Sequence, residues 1–111
     1  MADTVIDPAI FAELQEAAGA DFVGELIATF LEEAPQMLAE LRAAQAAGSA
    51  DRFRRAAHSI KSNANTFGAL RLGEMARVLE LGGLITDTAP IAALDAEYAR
   101  AAAALQELSG G

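Results

Sequence analysis

Apolar residues recur at helical spacing along almost the whole chain, and four stop signals divide the pattern. Asp7 before Pro8 predicts a helix start, with Asp7 as N-cap and Pro8 as first helical residue, and Gly19 predicts its close. This first helix is short enough to serve as a lid. A second helix is predicted from about Ala20 to Ala47, with Phe22, Leu26, Phe30, Leu31, Leu38 and Leu41 as its apolar stripe. Pro35 falls inside it and removes an internal hydrogen bond, so a kink or local break is expected there. Gly48 ends that helix and Ser49 can cap a third, which runs to about Thr66 with Gly68 as a left-handed stop. A fourth helix covers about Leu70 to Leu81, with Leu72, Met75, Val78 and Leu79 inward, and stops at Gly82-Gly83. Asp87 to Pro90 reads as a capping turn. The last helix runs from about Ala89 to Leu108 on a stripe of Leu94, Tyr98, Ala102 and Leu105, before the short Ser109-Gly110-Gly111 end. No alternating strand pattern and no repeat appear. The expected fold is all-α: an antiparallel four-helix bundle with a short N-terminal lid helix, forming a single domain over residues 1–111.

The third helix holds the only histidine of the chain, His58. At about 100° per residue, Asp51, Arg54, Arg55, Lys61, Ser62 and Asn65 fall within about 60° of it. Phe53, Ala56, Ile60, Ala64 and Phe67 fall more than about 100° away. His58 therefore lies at the centre of the polar face, which disfavours a core histidine. Two readings stay open from periodicity: an incidental surface residue, or a nucleophile. Lys61 at i+3 and Arg54 at i−4 can both reach the space around the ring. A neutral imidazole has a lone pair that can attack phosphorus, and neighbouring cations favour the neutral form over imidazolium. The same cations would balance the charge of an attached phosphoryl group.

Composition narrows the chemistry. The chain has 111 residues and no cysteine, which excludes disulfides and thiol chemistry, and one histidine makes a zinc site improbable. No cofactor and no metal are expected. Residues 1–20 include Asp3, Asp7, Glu13 and Glu16 and lack a basic start, so no signal peptide is expected. No apolar run is long enough to span a membrane, and the expected compartment is the cytoplasm. The formal charge of −8 argues against nucleic acid and anionic membranes as partners. That charge is unevenly spread: Arg52, Arg54, Arg55, Lys61, Arg71 and Arg77 face Glu74 alone, a net of +5, which leaves −13 for the rest. A small basic region on an acidic body suits docking to an acidic pocket.

Residues Arg55 to Ala69, with Ala57-His58-Ser59-Ile60-Lys61-Ser62 at their centre and Gly68 about ten residues after the histidine, resemble histidine phosphotransfer (HPt) domains. They also resemble the phosphotransfer domain of chemotaxis histidine kinases. Helix order and chain length are similar too, so the likeness covers nearly the whole chain. It implies that His58 is the phosphoacceptor and that Lys61 supports the phosphoryl group. It also implies that Glu80 accepts a hydrogen bond from the histidine, as in the chemotaxis relatives; a solvated residue on the fourth helix is the other reading of Glu80. Ser62 stands where many members have Gly, and Asn63 and Asn65 are unusual there. Arg77 occupies the place of a second network histidine in the chemotaxis relatives. Arg54, Arg55, Ser62 and Asn65 are candidate partner-binding residues.

The implied function is that of a phosphocarrier rather than an enzyme. His58 would accept a phosphoryl group from a receiver-domain aspartate of a hybrid histidine kinase and pass it to a response-regulator receiver. The receivers would bring Mg²⁺, and the carrier is expected to be a monomer. Two alternatives stay open: a phosphotransfer domain of a larger histidine kinase, and a receiver-binding module whose histidine is inert. The chain has no Gly-rich phosphate-binding signature of its own.

Overall fold

The computed structural model describes residues 5–110. The reading of residues 1–20 as lacking a signal peptide and the single-domain assignment therefore fall partly on residues 1–4, outside the described residues. Gly111, at the Gly-Gly end, also lies outside them.

The described residues form five helices and no strand: α1 (Pro8–Ala18), α2 (Ala20–Ala47), α3 (Ala50–Thr66), α4 (Leu70–Gly82) and α5 (Ala89–Gly110). The capping residues explain the boundaries. The Asp7 carboxylate accepts from the Ala9 and Ile10 amides at 2.9 and 3.2 Å and satisfies two donors that the first turn leaves unpaired. Gly48 takes the left-handed conformation after α2, and the Ser49 hydroxyl accepts from the Arg52 amide to open α3. The Asp87 carboxylate accepts from the Ala89 amide at the start of α5.

Neighbouring helices in sequence pack side by side, and the contacts close into a ring. α2 touches α3, α3 touches α4, α4 touches α5, and α5 returns to α2. α1 lies against α2 and α3. Phe53, Ile27, Leu41, Leu72, Ile91, Leu94 and Leu105 are fully buried between them. Phe30 is the aromatic centre. Its ring packs 5.1 Å from Phe67 at the end of α3 and 5.9 Å, edge-on, from Tyr98 of α5.

Four expectations change. α2 runs through Pro35 without the expected break. Proline removes the amide that would bond to the Leu31 carbonyl one turn earlier, and the Tyr98 hydroxyl donates to that carbonyl at 3.4 Å. Phe22 is exposed, because the first turns of α2 bury Val23 and Ile27, one residue later than expected, before the stripe continues on Phe30, Ala34, Leu38 and Leu41. Val78 is also exposed; α4 buries a narrow stripe of Leu72, Gly73, Ala76 and Leu79. In α5, Ala101 takes the buried place expected for Ala102.

Gly68 joins α1 to the rest. Its φ is +85°, and its carbonyl accepts from the Asp7 amide at 2.8 Å. A Cβ there would sit 3.0 Å from the Asp7 carbonyl oxygen. The position needs glycine both for its backbone angle and for this close approach. Gly68→Ala is expected to cost about 1–3 kcal/mol of stability, read as a lowered urea midpoint. An unchanged midpoint would contradict this account of the α1 attachment.

Candidate functional site

The amphipathic pattern of α3 leaves His58 on the outer face. Phe53, Ala56, Ala57, Ile60 and Ala64 are buried beneath it, while the His58 side chain is 56% exposed. α4 packs alongside and brings Glu80 to the ring from 22 residues away. His58 Nδ1 lies 2.8 Å from Glu80 Oε2, and Lys61 Nζ lies 2.8 Å from Glu80 Oε1. Glu80 is only 12% exposed and Lys61 25%, so the carboxylate is shielded and the ring that it holds is open. Oε1 is buried and receives no hydrogen bond of ordinary geometry. The Lys61 ammonium, 2.8 Å away, is the group that compensates it.

The protonation of this triad follows from the inventory of donors. An ionised carboxylate can only accept, so Nδ1 must carry the proton. In the neutral ring Nε2 then keeps its lone pair. The Glu80 carboxyl is held below its ordinary value, first by the Lys61 ammonium and then by the His58 ring. It is therefore mostly ionised at pH 4.5 and above.

The structure thus brings His58, Lys61 and Glu80 together. It does not add the Arg54 and Arg55 guanidiniums to the cluster. Arg54 pairs with Asp51 at 2.7 Å and Arg55 with the same carboxylate at 3.0 Å, one turn back along α3. Asp51 is held below its ordinary value by these partners, first the hydrogen bond from Arg54 and then the charge of Arg55. Ser62 is exposed on α3, and its carbonyl accepts from the Thr66 hydroxyl. Asn65, also exposed, lies over Gly73 of α4, where any Cβ would run into its Oδ1. Gly73 thus leaves the space that the Asn65 side chain occupies.

On the other side of the ring, α2 and α3 enclose an open groove of about 530 Å³. Met37 and Ala56 lie in it beside Glu33, Gln36, Ser59 and the Arg52–Glu40 pair. That pair is two-pronged, at 2.9 and 3.1 Å. The spacing along α3 alone did not single out this groove, because half of it comes from α2. Among the described residues, no three His, Cys, Asp or Glu side chains are grouped so as to hold a metal ion. None of their helices is long and apolar enough to cross a membrane.

The Hpt domain family model matches residues 25–104, which include the whole His58, Lys61 and Glu80 cluster. The chain belongs to the Hpt domain family. Among solved structures it is similar to the histidine-containing phosphotransfer protein B (HptB) of Pseudomonas aeruginosa PAO1. The two are 28% identical with a TM-score of 0.77, over 98% of this chain and 94% of that one. No curated protein matches the chain significantly. This Hpt chain is therefore a histidine-containing phosphotransfer module of two-component signalling, all-helical in fold. Hpt proteins act as phosphocarriers and work with receiver and kinase-related partners.

A depressed carboxyl contributes to the folded network above its ordinary value of 4.5 and loses that contribution as the pH falls through the lowered value. The contacts of Glu80 to His58 and Lys61 are therefore expected to persist down to pH 4.5 and to be lost only below it. Carboxyl ¹³C chemical shifts of Glu80 followed against pH would give its midpoint. A midpoint at or above 4.5 would contradict the proposed pairing.

Proposed function

We propose that this Hpt chain is a phosphorelay intermediary in which His58 carries the phosphoryl group between two receiver domains. The observation that supports this most is the 2.8 Å contact of His58 Nδ1 with Glu80 on a ring that is more than half exposed. It leaves Nε2 as the nucleophilic edge. On this reading a receiver of a hybrid histidine kinase presents an aspartyl phosphate. Nε2 attacks the phosphorus, the N–P bond forms, and the bond from phosphorus to the aspartate oxygen breaks. The aspartate leaves as a carboxylate, and the ring keeps its Nδ1 proton.

The phosphorylated ring is then cationic, and the Glu80 carboxylate opposite Nδ1–H stabilises that charge. Lys61 reaches from Glu80 to the phosphoryl oxygens and offsets their charge. Attack by the aspartate of a response-regulator receiver reverses the bond changes and returns the neutral ring. The receivers bring Mg²⁺, so the Hpt chain contributes positioning and charge rather than ATP chemistry. Glu80 is a positioning residue; His58 is the group that reacts. Arg54, Arg55, Ser62 and Asn65 line the face on which a receiver would rest. The finer architecture follows the same reading. α2 to α5 form an antiparallel four-helix bundle, α1 is its lid, and the 1–111 chain acts as one domain in the cytoplasm.

The test starts from a receiver labelled on its aspartate. The chain is expected to take up an acid-labile label, His58→Gln to take up none while keeping its helical circular dichroism, and Lys61→Ala to slow transfer by about 10- to 100-fold. Undiminished transfer to His58→Gln would overturn the assignment. Receiver binding with no label on the native chain would favour an inert module. Self-labelling from ATP and Mg²⁺ by the pure chain would make it a kinase instead.

A further inference from the structure

The outward face of α4 has a pattern that neither the core nor the His58 cluster uses. Leu70, Glu74, Arg77 and Leu81 follow one another at steps of four, three and four residues. At about 100° per residue they fall within about 60° of one another, on the side opposite Leu72 and Leu79. Leu70 is 44% exposed and Leu81 66%, with the side chains of Glu74 and Arg77 more than half exposed between them. Val78, at 58%, flanks the row. This alternation of four and three is the spacing of a coiled-coil seam. The core-facing residues of α4 lie on its other side, so the row is left unpartnered by the rest of the chain.

The row is also self-complementary. Laid antiparallel on a second α4 about a two-fold axis between Met75 and Ala76, Leu70 meets Leu81 of the other copy and Glu74 meets its Arg77. By symmetry each contact occurs twice. Two apolar layers close the ends and two oppositely charged layers form the middle. The parallel arrangement in register would instead set Glu74 against Glu74 and Arg77 against Arg77. Within one chain the Glu74–Arg77 contact is a long one, at 3.4 Å, which leaves both groups able to engage a second copy.

We propose that α4 is a homotypic docking surface through which two copies of this chain pair antiparallel. The seam from Leu70 to Leu81 is about 16 Å long, short of what a permanent dimer of standard interface size needs. Pairing is therefore weak and concentration-dependent, with single chains at low concentration. Glu80 lies about a quarter turn around α4 from the seam. The second copy would thus run alongside the carboxylate that holds His58 and leave the ring edge facing away from α4 open.

Sedimentation velocity from micromolar to millimolar concentration, at low salt, tests this. The native chain is expected to shift from one chain mass toward two. Glu74→Arg and Arg77→Glu each set like charges in both central layers and should weaken self-association by at least about tenfold. Mixing the two variants in equal amounts restores opposite charges in both layers, so the mixture should associate as the native chain does. Both positions are exposed, and circular dichroism would verify that each variant is folded. One chain mass at all concentrations would overturn the proposal. So would association that the single variants leave unchanged, or a mixture that fails to recover it.

Discussion

One carboxylate, that of Glu80, joins two helices and two functional side chains. Its oxygens point in different directions, one to His58 Nδ1 and the other to Lys61 Nζ, each at 2.8 Å. Both contacts cross from α4 to α3. The orientation of the ring, its tautomer and the place of the nearest cation therefore depend on how closely these helices pack. That packing rests on small residues. Asn65 of α3 lies where Gly73 of α4 has no side chain, and Ala57, Ala64 and Ala76 are fully buried or nearly so. A side chain at Gly73 would first have to displace the exposed Asn65 side chain from this place.

The same arrangement explains why a chain with one histidine and no metal cluster among its described residues suits phosphoryl transfer. A carboxylate in water would be screened and mobile. Here Glu80 is mostly covered while the ring it holds is mostly open, so the hydrogen bond is directed and the reactive edge is accessible. Lys61 balances the carboxylate in the free protein. On the proposed function, an attached phosphoryl group would be a second anion for it to serve. This suits a family whose members act as phosphocarriers with receiver and kinase-related partners.

Much of this was legible in the sequence because it is local. The five helices follow from Asp7-Pro8, Gly19, Gly48-Ser49, Gly68 and the Asp87 turn, each acting within a few residues. His58 and Lys61 lie three residues apart on one helix, so periodicity alone sets them on one face. Glu80 is different: its approach to His58 depends on the pairing of α3 with α4, and only the family resemblance pointed to it. Spacing allows Arg54 to reach the space around the ring, but Asp51, on the same face, pairs with both Arg54 and Arg55. Phe22 and Val23 show the limit of phasing, since both are apolar and adjacent, and only packing against the neighbouring helices decides which is buried. The link from Tyr98 to the Leu31 carbonyl spans 67 residues and has no local signature.

The central claim is that Glu80 fixes the proton of the neutral His58 ring on Nδ1 and leaves Nε2 bare. Long-range ¹H–¹⁵N correlation spectra of the imidazole, recorded where the ring is neutral, report this directly. The account predicts an Nδ1 of the protonated, pyrrole type and an Nε2 of the bare, pyridine type, with the pattern lost in Glu80→Ala. A proton on Nε2 in the native chain would contradict it.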